Sequence, residues 1–305
     1  MYNYVMLWEN VSQGHLRRQN VMNSAIHMLQ PTPSDIANKK NPVSDQMGSY
    51  IVFSKEGRII VIDGGWKCEA KHIIRYISAL TGKKKPHIDA WILSHPHPDH
   101  VHAFIQAVTR YRSHFSIDKV YYNFCSIQSL MEEDSDATNS ATEFYKKLPK
   151  FADIACIVTA GDVYQIGDIK LEFLYTPYPI FKKSVCNNSS LVFKITMNEK
   201  SALFLSDVGE EVGNIVLERY KGTGKLKSDV VQMAHHGYGG VNRDFYAEVA
   251  PTTCLWPTPK RIWENDAGRG YNTHCWDSIS VQKWMAELGV TDHRVLKDGT
   301  QIVEL

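Results

Sequence analysis

The segment from Ser94 to His100, SHPHPDH, constrains this chain more than any other feature. It places three histidines and one aspartate within six residues, in the order His-x-His-x-Asp-His. Imidazole and carboxylate groups bind borderline divalent metals such as zinc. Four such groups this close in sequence do not all fit one ion, but His95 and His97 can bind one while Asp99 and His100 bind another. A two-metal centre of this kind is typical of hydrolytic enzymes.

The residues on either side predict that this motif lies in a loop between a strand and a helix. Residues 88–93 form an apolar run typical of a buried strand, and a helical spacing follows at Val101, Phe104, Ile105 and Val108. A proline after His95 and after His97 disfavours the helical conformation at both histidines and keeps them extended. A histidine-rich polar loop without function would explain neither these prolines nor the four of 13 histidines between positions 95 and 102.

The order of several motifs resembles one known superfamily. His95-x-His97-x-Asp99-His100 resembles the signature of the metallo-β-lactamase superfamily, and further landmarks of that superfamily are similar to segments 61–65 (VIDGG), 187–192 (NNSSLV), 203–207 (LFLSD) and 231–237 (VQMAHHG). The resemblance extends over about positions 47 to 304. The NNSSLV and HHG forms are similar to a branch that includes the hydrolase domain of DNA-uptake competence proteins and phosphorylcholine esterases.

The resemblance implies a centre of two divalent metal ions, zinc in the first instance, with manganese or iron as alternatives. In this centre one ion is held by His95 and His97, the second by Asp99, His100 and His236, and Asp207 bridges both. His236 is preferred over His235 because the ligand often precedes a small residue, and the reverse assignment stays open. His235 then either orients a neighbour or donates a proton, so Asp99 and His235 are the candidate catalytic residues.

Three further residues are implied beside the metals. Asp63 is expected to orient the histidine loop through a hydrogen bond, and Tyr238 is a candidate contact for substrate. The superfamily often places a third histidine on the first metal, but this chain has none between His114 and Asp207. Asn187 is the candidate to cover the open face of that metal. Because an amide oxygen binds zinc more weakly than imidazole does, the first site is expected to be looser.

The positions of these residues relative to predicted strands provide an independent argument. His95, Asp207 and His236 each come just after an apolar run, at 88–93, 202–205 and 230–233. Open α/β sheets place their sites beyond the carboxyl ends of strands. Segments far apart in sequence are therefore expected to meet at one edge of the fold.

Two runs of short strands, each followed by helices, predict two sheets packed face to face with helices outside. The resemblance implies the same αββα sandwich of two mixed sheets. We assign residues 46–305 to this metallo-β-lactamase-like domain and residues 1–45 to an N-terminal extension of unknown role. Within the extension, Val21, Ala25 and Met28 lie at helical spacing, which predicts a helix in part of the segment before Pro31. At the other end, residues 294–296 and 301–305 predict a hairpin around Asp298-Gly299.

Composition limits the partners and the compartment. The chain has 305 residues, a formal net charge of +1 and 43% hydrophobic residues, which suits a large core without a general attraction to nucleic acid. Six scattered cysteines and no secretory leader favour the cytoplasm over a disulfide framework. No apolar run of about 18 residues predicts a membrane span. The oligomeric state has no signal in the sequence.

The favoured function is a metal-dependent hydrolase that activates water at a dinuclear centre and cleaves a phosphodiester. The branch resemblance carries the preference for phosphodiesters, since the residues themselves indicate only hydrolysis. A lactonase or another ester hydrolase is an alternative, and a nuclease is a narrower form of the first hypothesis. A non-catalytic metal-binding scaffold is the alternative outside enzymes. The intact first motif and Asp207 argue against it, because degenerate relatives usually lose these ligands.

Overall fold

Fourteen strands form the framework of the computed structural model, which describes residues 23–32, 45–177 and 181–305. In chain order they are β1 (Ala25–Met28), β2 (Ser49–Phe53), β3 (Ile59–Asp63), β4 (His87–Leu93), β5 (Ser116–Tyr122), β6 (Ala155–Ile157), β7 (Val163–Ile166), β8 (Ile169–Tyr175), β9 (Val192–Met197), β10 (Lys200–Phe204), β11 (Val230–Gln232), β12 (Thr253–Trp256), β13 (Asp292–Val295) and β14 (Gln301–Glu304).

The described strands form two mixed sheets with the same pattern of directions. The first has the order β14-β1-β2-β3-β4-β5-β6, and the second has the order β13-β12-β11-β10-β9-β8-β7. In the first sheet, pairs from β14 to β3 are antiparallel and pairs from β3 to β6 are parallel. In the second, pairs from β7 to β10 are antiparallel and pairs from β10 to β13 are parallel.

Strand β3 shows why the sheets are buried on both faces. Ile60 and Ile62 belong to the apolar cluster between the sheets, together with Phe193 and Phe204 of the second sheet. Ile59 and Val61 point to the opposite face, since side chains alternate along a strand, and they join a cluster with the outer helices. A continuous apolar run therefore forms a central strand here.

Nine α-helices lie among the described residues, and most cover the outer faces of the sheets. They are α1 (Glu69–Thr81), α2 (Pro98–Arg110), α3 (Ile127–Met131), α4 (Ser135–Lys147), α5 (Val185–Asn188), α6 (Glu210–Tyr220), α7 (Arg243–Val249), α8 (Lys260–Trp263) and α9 (Ser278–Glu287). Short 3-10 helices occur at Arg112–His114, Leu148–Lys150, Ala234–Gly237 and Leu296–Asp298. Helices α1, α2 and α4 share one outer cluster with the first sheet, and α6, α7 and α9 share another with the second. The predicted αββα sandwich is confirmed.

Two predictions for the chain ends are wrong. Ala25 and Met28 lie in strand β1 rather than in a helix, and Val21 lies outside the described residues. The expected C-terminal hairpin is absent, because β13 pairs with β12 in the second sheet whereas β14 pairs with β1 in the first. Helical spacing alone does not separate a helix from a short strand that is buried on both faces.

The acidic segment 131–136 is also not the loop that its composition suggests. It contains the end of α3 and the start of α4, which begins at Ser135. Asp134 caps α4, with its Oδ1 accepting a hydrogen bond from the Ala137 amide at 2.9 Å. In this segment, acidic residues therefore mark the beginning of a helix.

Strand β1 pairs with β2 and β14, so residues 25–28 are part of the first sheet. The division of the chain at residue 45 stays a prediction. Residues 1–22 and 33–44 lie outside the described part. Among the helices of the described residues, none is long and apolar enough to span a membrane.

Candidate metal centre

Four loops meet at the carboxyl ends of parallel strands from both sheets. Asp63 ends β3, and the loop with His95 to His100 follows β4 in the first sheet. Asp207 lies just beyond β10, and His236 lies beyond β11 in the second sheet. The site therefore lies where the parallel halves of the two sheets come together.

The Asp207 carboxylate is the hub of this cluster. Its Oδ2 lies 3.3 Å from His100 Nε2, 3.3 Å from His236 Nε2 and 3.8 Å from His95 Nε2. Asp99 Oδ2 lies 3.4 Å from His236 Nε2. His95 and His236 are fully buried, and His100 and Asp207 nearly so. The structure thus brings together five of the six side chains assigned as ligands.

Asp63 sets the orientation of two histidines on the first-sheet side. Its carboxylate accepts hydrogen bonds from the Ser94 amide, the Ser94 hydroxyl and His100 Nδ1, at 2.8, 2.7 and 2.8 Å. Because the Ser94 hydroxyl donates to Asp63, it accepts from His95 Nδ1 at 2.9 Å. Both imidazoles carry a hydrogen on Nδ1, so Nε2 of each presents its lone pair to the centre.

Two more contacts fix His97 and His236. His236 Nδ1 donates to the Pro257 carbonyl at 2.9 Å, which leaves its Nε2 facing Asp207 and Asp99. His97 is turned the other way, with Nε2 donating to Asp134 Oδ2 at 2.6 Å and Nδ1 lying 3.1 Å from His95 Nε2. His97, the sixth side chain assigned as a ligand, therefore presents its Nδ1 to the cluster.

The inward-facing atoms fit a cation better than they fit one another. His100 Nε2, His236 Nε2 and Asp207 Oδ1 are buried and have no hydrogen-bond partner among the described residues. Buried polar atoms normally find partners, and imidazole nitrogen with carboxylate oxygen is a typical donor set for zinc or iron. Three overlapping groups have donor atoms within 4.8 Å of one another: His95, His97 and Cys186; His95, His100 and Asp207; and Asp99, His100 and His236.

The electrostatics of the cluster are those of a site that attracts positive charge. Burial lowers the pKa of His95 well below its usual range. For His100 and His236 burial acts in the same direction, but the carboxylates outweigh it and raise the pKa of His100 well above 6.5 and that of His236 to about 9. Burial would raise the pKa of Asp207, yet His100 and His236 hold it well below its usual range. Protons and divalent cations therefore compete for this centre.

The loops that carry these residues adopt costly backbone conformations. Asp63, Ser206, His235 and His236 have φ values of 52°, 51°, 47° and 55°, in the left-handed region that residues other than glycine rarely occupy. Such strain persists where surrounding contacts enforce it, and it is concentrated at functional sites. Gly48 provides room for the cluster, because a Cβ there would lie 2.6 Å from His100 Cε1.

His235, Asn187 and Tyr238 line the edge of the centre. His235 belongs to none of the three groups with metal-binding spacing, and its Nε2 accepts from Asn187 Nδ2 at 3.2 Å. Tyr238 packs on His235 with ring centroids 4.5 Å apart. Burial lowers the pKa of His235, which favours the neutral imidazole. The geometry pairs Asn187 with His235 and not with His95 or His97.

The NNSSLV segment supports the turn that carries Asp207. Ser190 Oγ accepts from the Asp207 amide at 3.4 Å, and Asn188 Oδ1 accepts from the Gly209 amide at 3.2 Å. The Leu191 amide donates to the Ser94 carbonyl at 3.1 Å, which links the segment to the histidine loop. This segment therefore joins the loops of the two sheets.

Sequence reasoning missed Asp134 and gave Cys186 no role as a ligand. Asp134 lies 37 residues from His97 and comes from an acidic run, which usually indicates a solvated surface. A cysteine without paired spacing is more often a small apolar side chain than a ligand. The absence of a histidine from residues 115–234 was the one available signal that another donor was needed.

Comparisons with known proteins agree with this architecture. Residues 44–112 match the family model described as the metallo-beta-lactamase superfamily. No curated protein matches the sequence.

Solved structures with the same fold are similar over nearly the whole chain. YhfI from Bacillus subtilis, a metallo-beta-lactamase fold protein, has a TM-score of 0.54 at 14% identity and covers 93% of this chain and 100% of its own. Zn²⁺-bound PqqB from Methylobacterium extorquens has a TM-score of 0.51 at 10% identity, with 92% and 100% covered. CmlA from Streptomyces venezuelae, a diiron β-hydroxylase, has a TM-score of 0.52 at 12% identity over 93% of this chain. The match spans 54% of CmlA.

Proposed function

Because the chain has the metallo-β-lactamase fold and gathers four histidines and two aspartates at one point, we propose that it is a hydrolase with a dinuclear metal centre. We propose further that its substrate is a phosphodiester. The observation that carries the proposal is the set of buried, unpartnered ligand atoms His100 Nε2, His236 Nε2 and Asp207 Oδ1. A structural cluster would satisfy these atoms within the protein.

The ligand assignment follows from the ring orientations. His95 through Nε2 and His97 through Nδ1 would hold the first ion, and Asp99, His100 and His236 the second, with Asp207 between them. When bound, such ions lower the pKa of water to about 7 and neutralise negative charge on a substrate oxygen. Zinc suits this imidazole-rich set and is the metal named for PqqB, while the iron named for CmlA has similar ligand preferences.

Asp99 is the best-placed group to hold a proton from the attacking water. Burial would raise its pKa, but His100 and His236 outweigh that effect and keep it below its usual value. The carboxylate is therefore ionised at neutral pH, and its side chain retains 13% exposure at the edge of the cluster. An ionised, partly open carboxylate can accept a proton, whereas Asp207 is enclosed.

His235 is better suited to orientation than to proton donation. A partly buried neutral imidazole whose Nε2 accepts from Asn187 has no hydrogen on that nitrogen to give to a leaving group. The contact fixes the Asn187 amide at the edge of the centre. We therefore assign His235 and Asn187 to substrate positioning.

The rim beside His235 supports a substrate with an organic substituent. Tyr238 packs against Trp276 with centroids 5.9 Å apart, and the Arg261 guanidinium lies 5.5 Å from the Trp276 ring. The Arg261 guanidinium is already paired with Asp45 at 3.2 Å, so the aromatic faces are what suits the organic substituent of a small phosphodiester. The formal net charge of +1 favours a small substrate over a long nucleic acid.

A paired measurement of metal content and diester hydrolysis tests this proposal. The purified full chain is analysed for metals and assayed with bis(p-nitrophenyl) phosphate, alongside Asp207→Asn and the control Asp244→Asn in the first turn of α7. We expect about two metals per chain and turnover in the wild type and the control. Asp207→Asn should lose activity by at least a hundredfold, since it removes the carboxylate between the metal positions.

Two other outcomes of these measurements would change the proposal. Two metals without diester turnover would move the substrate to lactones or other esters. No bound metal and no turnover after zinc, manganese or iron is supplied would contradict the hydrolase proposal and favour a non-catalytic scaffold.

A further inference from the structure

The first metal position has one protein donor fewer than the second. His95 and His97 supply two nitrogen atoms and share the Asp207 carboxylate with the second position, which has three donors of its own in Asp99, His100 and His236. No histidine occurs in residues 115–234, the part of the chain where the resemblance leads one to expect the third. A further side chain beside these two histidines would give the two positions equal numbers of protein donors.

Cys186 lies where that donor is required. Its Sγ and the ring nitrogens of His95 and His97 all lie within 4.8 Å of one another, and Cys186 is 2% exposed. Cys186 is therefore part of the cluster and not only of the apolar core beneath it.

The hydrogen-bond pattern of the two histidines is a second and independent observation. His95 Nδ1 donates to Ser94, and His97 Nε2 donates to Asp134, so a neutral His95–His97 pair has its remaining nitrogens as lone pairs. These two nitrogens lie 3.1 Å apart, and His95 is fully buried. Two lone pairs at that distance repel each other unless a proton or a metal cation lies between them.

The acidic segment before α4 positions both sides of this group. The Glu133 carboxylate accepts from the backbone amides of Ser184 and Val185, which pins the short helix α5 that carries Cys186. The next residue, Asp134, holds His97. Adjacent carboxylates thus fix the thiol and an imidazole relative to each other, an arrangement that a mere packing cysteine does not require.

We propose that Cys186 Sγ is a further protein ligand of the first metal, together with His95 Nε2, His97 Nδ1 and the shared Asp207 carboxylate. This assignment rests on the proposed dinuclear centre and names a ligand in it. The thiol loses its proton to solvent as the metal binds. Asn187, whose Oδ1 is also buried without a hydrogen-bond partner among the described residues, is the weaker alternative, because an amide oxygen binds zinc less well than a thiolate.

A thiolate at this position changes the expected metal. Soft sulfur favours zinc, cobalt and iron over manganese, so the first site is tight and selective rather than loose. It also makes the centre sensitive to oxidants, because sulfenic acid at Cys186 would remove the ligand.

Cobalt(II) binding tests the assignment without using activity. A thiolate on cobalt gives a near-ultraviolet charge-transfer band, which imidazole and carboxylate ligands do not give. The exposed Cys68 and Cys275 are first changed to serine in the full chain, so that surface thiols do not contribute. Metal-free protein of this background is titrated with cobalt(II), alone and with Cys186→Ala or the neighbouring Cys125→Ala added.

We expect a band that saturates in the background protein and in Cys125→Ala. Cys186→Ala should lose the band and bind one cobalt at least about tenfold more weakly, with the other position retained. Full cobalt binding without a band, or a band that survives in Cys186→Ala, would overturn the Cys186 assignment and leave the dinuclear centre in place. Absence of cobalt binding by the background protein would overturn both.

The Cys125→Ala protein decides the question if Cys186→Ala does not fold. A band in that protein assigns the thiolate to Cys186, because Cys156 and Cys254 lie outside all three ligand groups. Two bound cobalt ions without a band in the same protein would refute the assignment.

Discussion

At the scale of single residues, the centre depends on side chains that orient the ligands. Asp63 determines which nitrogen of His95 and His100 faces inward, and Pro257 does the same for His236 through its carbonyl. Asp134 turns His97 in the opposite sense. These partners fix the tautomers before any metal binds, which lowers the cost of ordering the site.

Asp134→Asn should weaken metal binding about 10–100-fold without loosening α4. An asparagine retains the helix cap as well as aspartate does, but it gives His97 a neutral partner in place of a carboxylate. The measurement is metal affinity by competition with a chromophoric chelator. Asp136→Asn is the matched control, since it removes the same charge from the first turn of α4 and contacts no ligand. Equal affinities of the two variants would contradict the role of Asp134.

At the scale of elements, the first strand is joined to the first helix by a buried histidine. His27 in β1 is 5% exposed, and its Nδ1 shares a 2.9 Å hydrogen bond with the Tyr76 hydroxyl of α1. Burial lowers the pKa of His27 to about 4. The packing of β1 beneath α1 therefore favours the neutral form of the His27 imidazole.

This contact should make folding stability depend on pH in the mildly acidic range. Because the folded pKa of His27 lies below the unfolded value of about 6.5, the unfolded chain takes up a proton first as the pH falls. Stability is present above pH 6.5 and is lost as the pH falls towards 4, with about 2 kcal/mol lost between pH 7 and pH 5.

Urea unfolding of His27→Gln at pH 7 and pH 5 measures this contribution. The free energy of unfolding of the variant should fall less between the two pH values than that of the wild type, by about 2 kcal/mol. His114→Gln, at an exposed position, should keep the wild-type difference. An unchanged pH dependence in His27→Gln would show that His27 is not the group responsible.

At the scale of the whole molecule, the two ends of the described chain close the first sheet together. Strand β14 pairs with β1, whose other neighbour is β2, so residues nearly 280 apart form one ladder with Val303 opposite Ile26. Val303 faces the cluster between the sheets, whereas Ile302 on the other face is 45% exposed. The last strand therefore contributes to the core that supports the metal loops.

Val303→Ala should lower the free energy of unfolding by about 2 kcal/mol, from lost burial and the cavity it leaves. Ile302→Ala, in the same strand, should change it by less than about 0.5 kcal/mol. Urea or thermal unfolding of the two variants provides the comparison. A larger effect for Ile302→Ala would contradict the observed register of β14.

The sequence by itself determined the sandwich fold and the location of the chemistry. Apolar runs predicted β4, helix α2 and the strand ends that carry Asp207 and His236, because burial imposes a period on sequence. Local spacing identified the His95–His100 loop as ligand-rich. These features depend on neighbours in sequence, so they can be read without the fold.

Only the tertiary structure decided which segments pair across long distances and which side chains orient the ligands. The hairpin predicted near Asp298-Gly299 was wrong because its two strands enter different sheets, a choice set by burial on each sheet and not by the turn. Asp134 and Cys186 reach the centre from segments 37 and 91 positions beyond His97 and His95. No local pattern encodes such contacts, because they arise from the packing of elements whose mutual placement depends on the whole core.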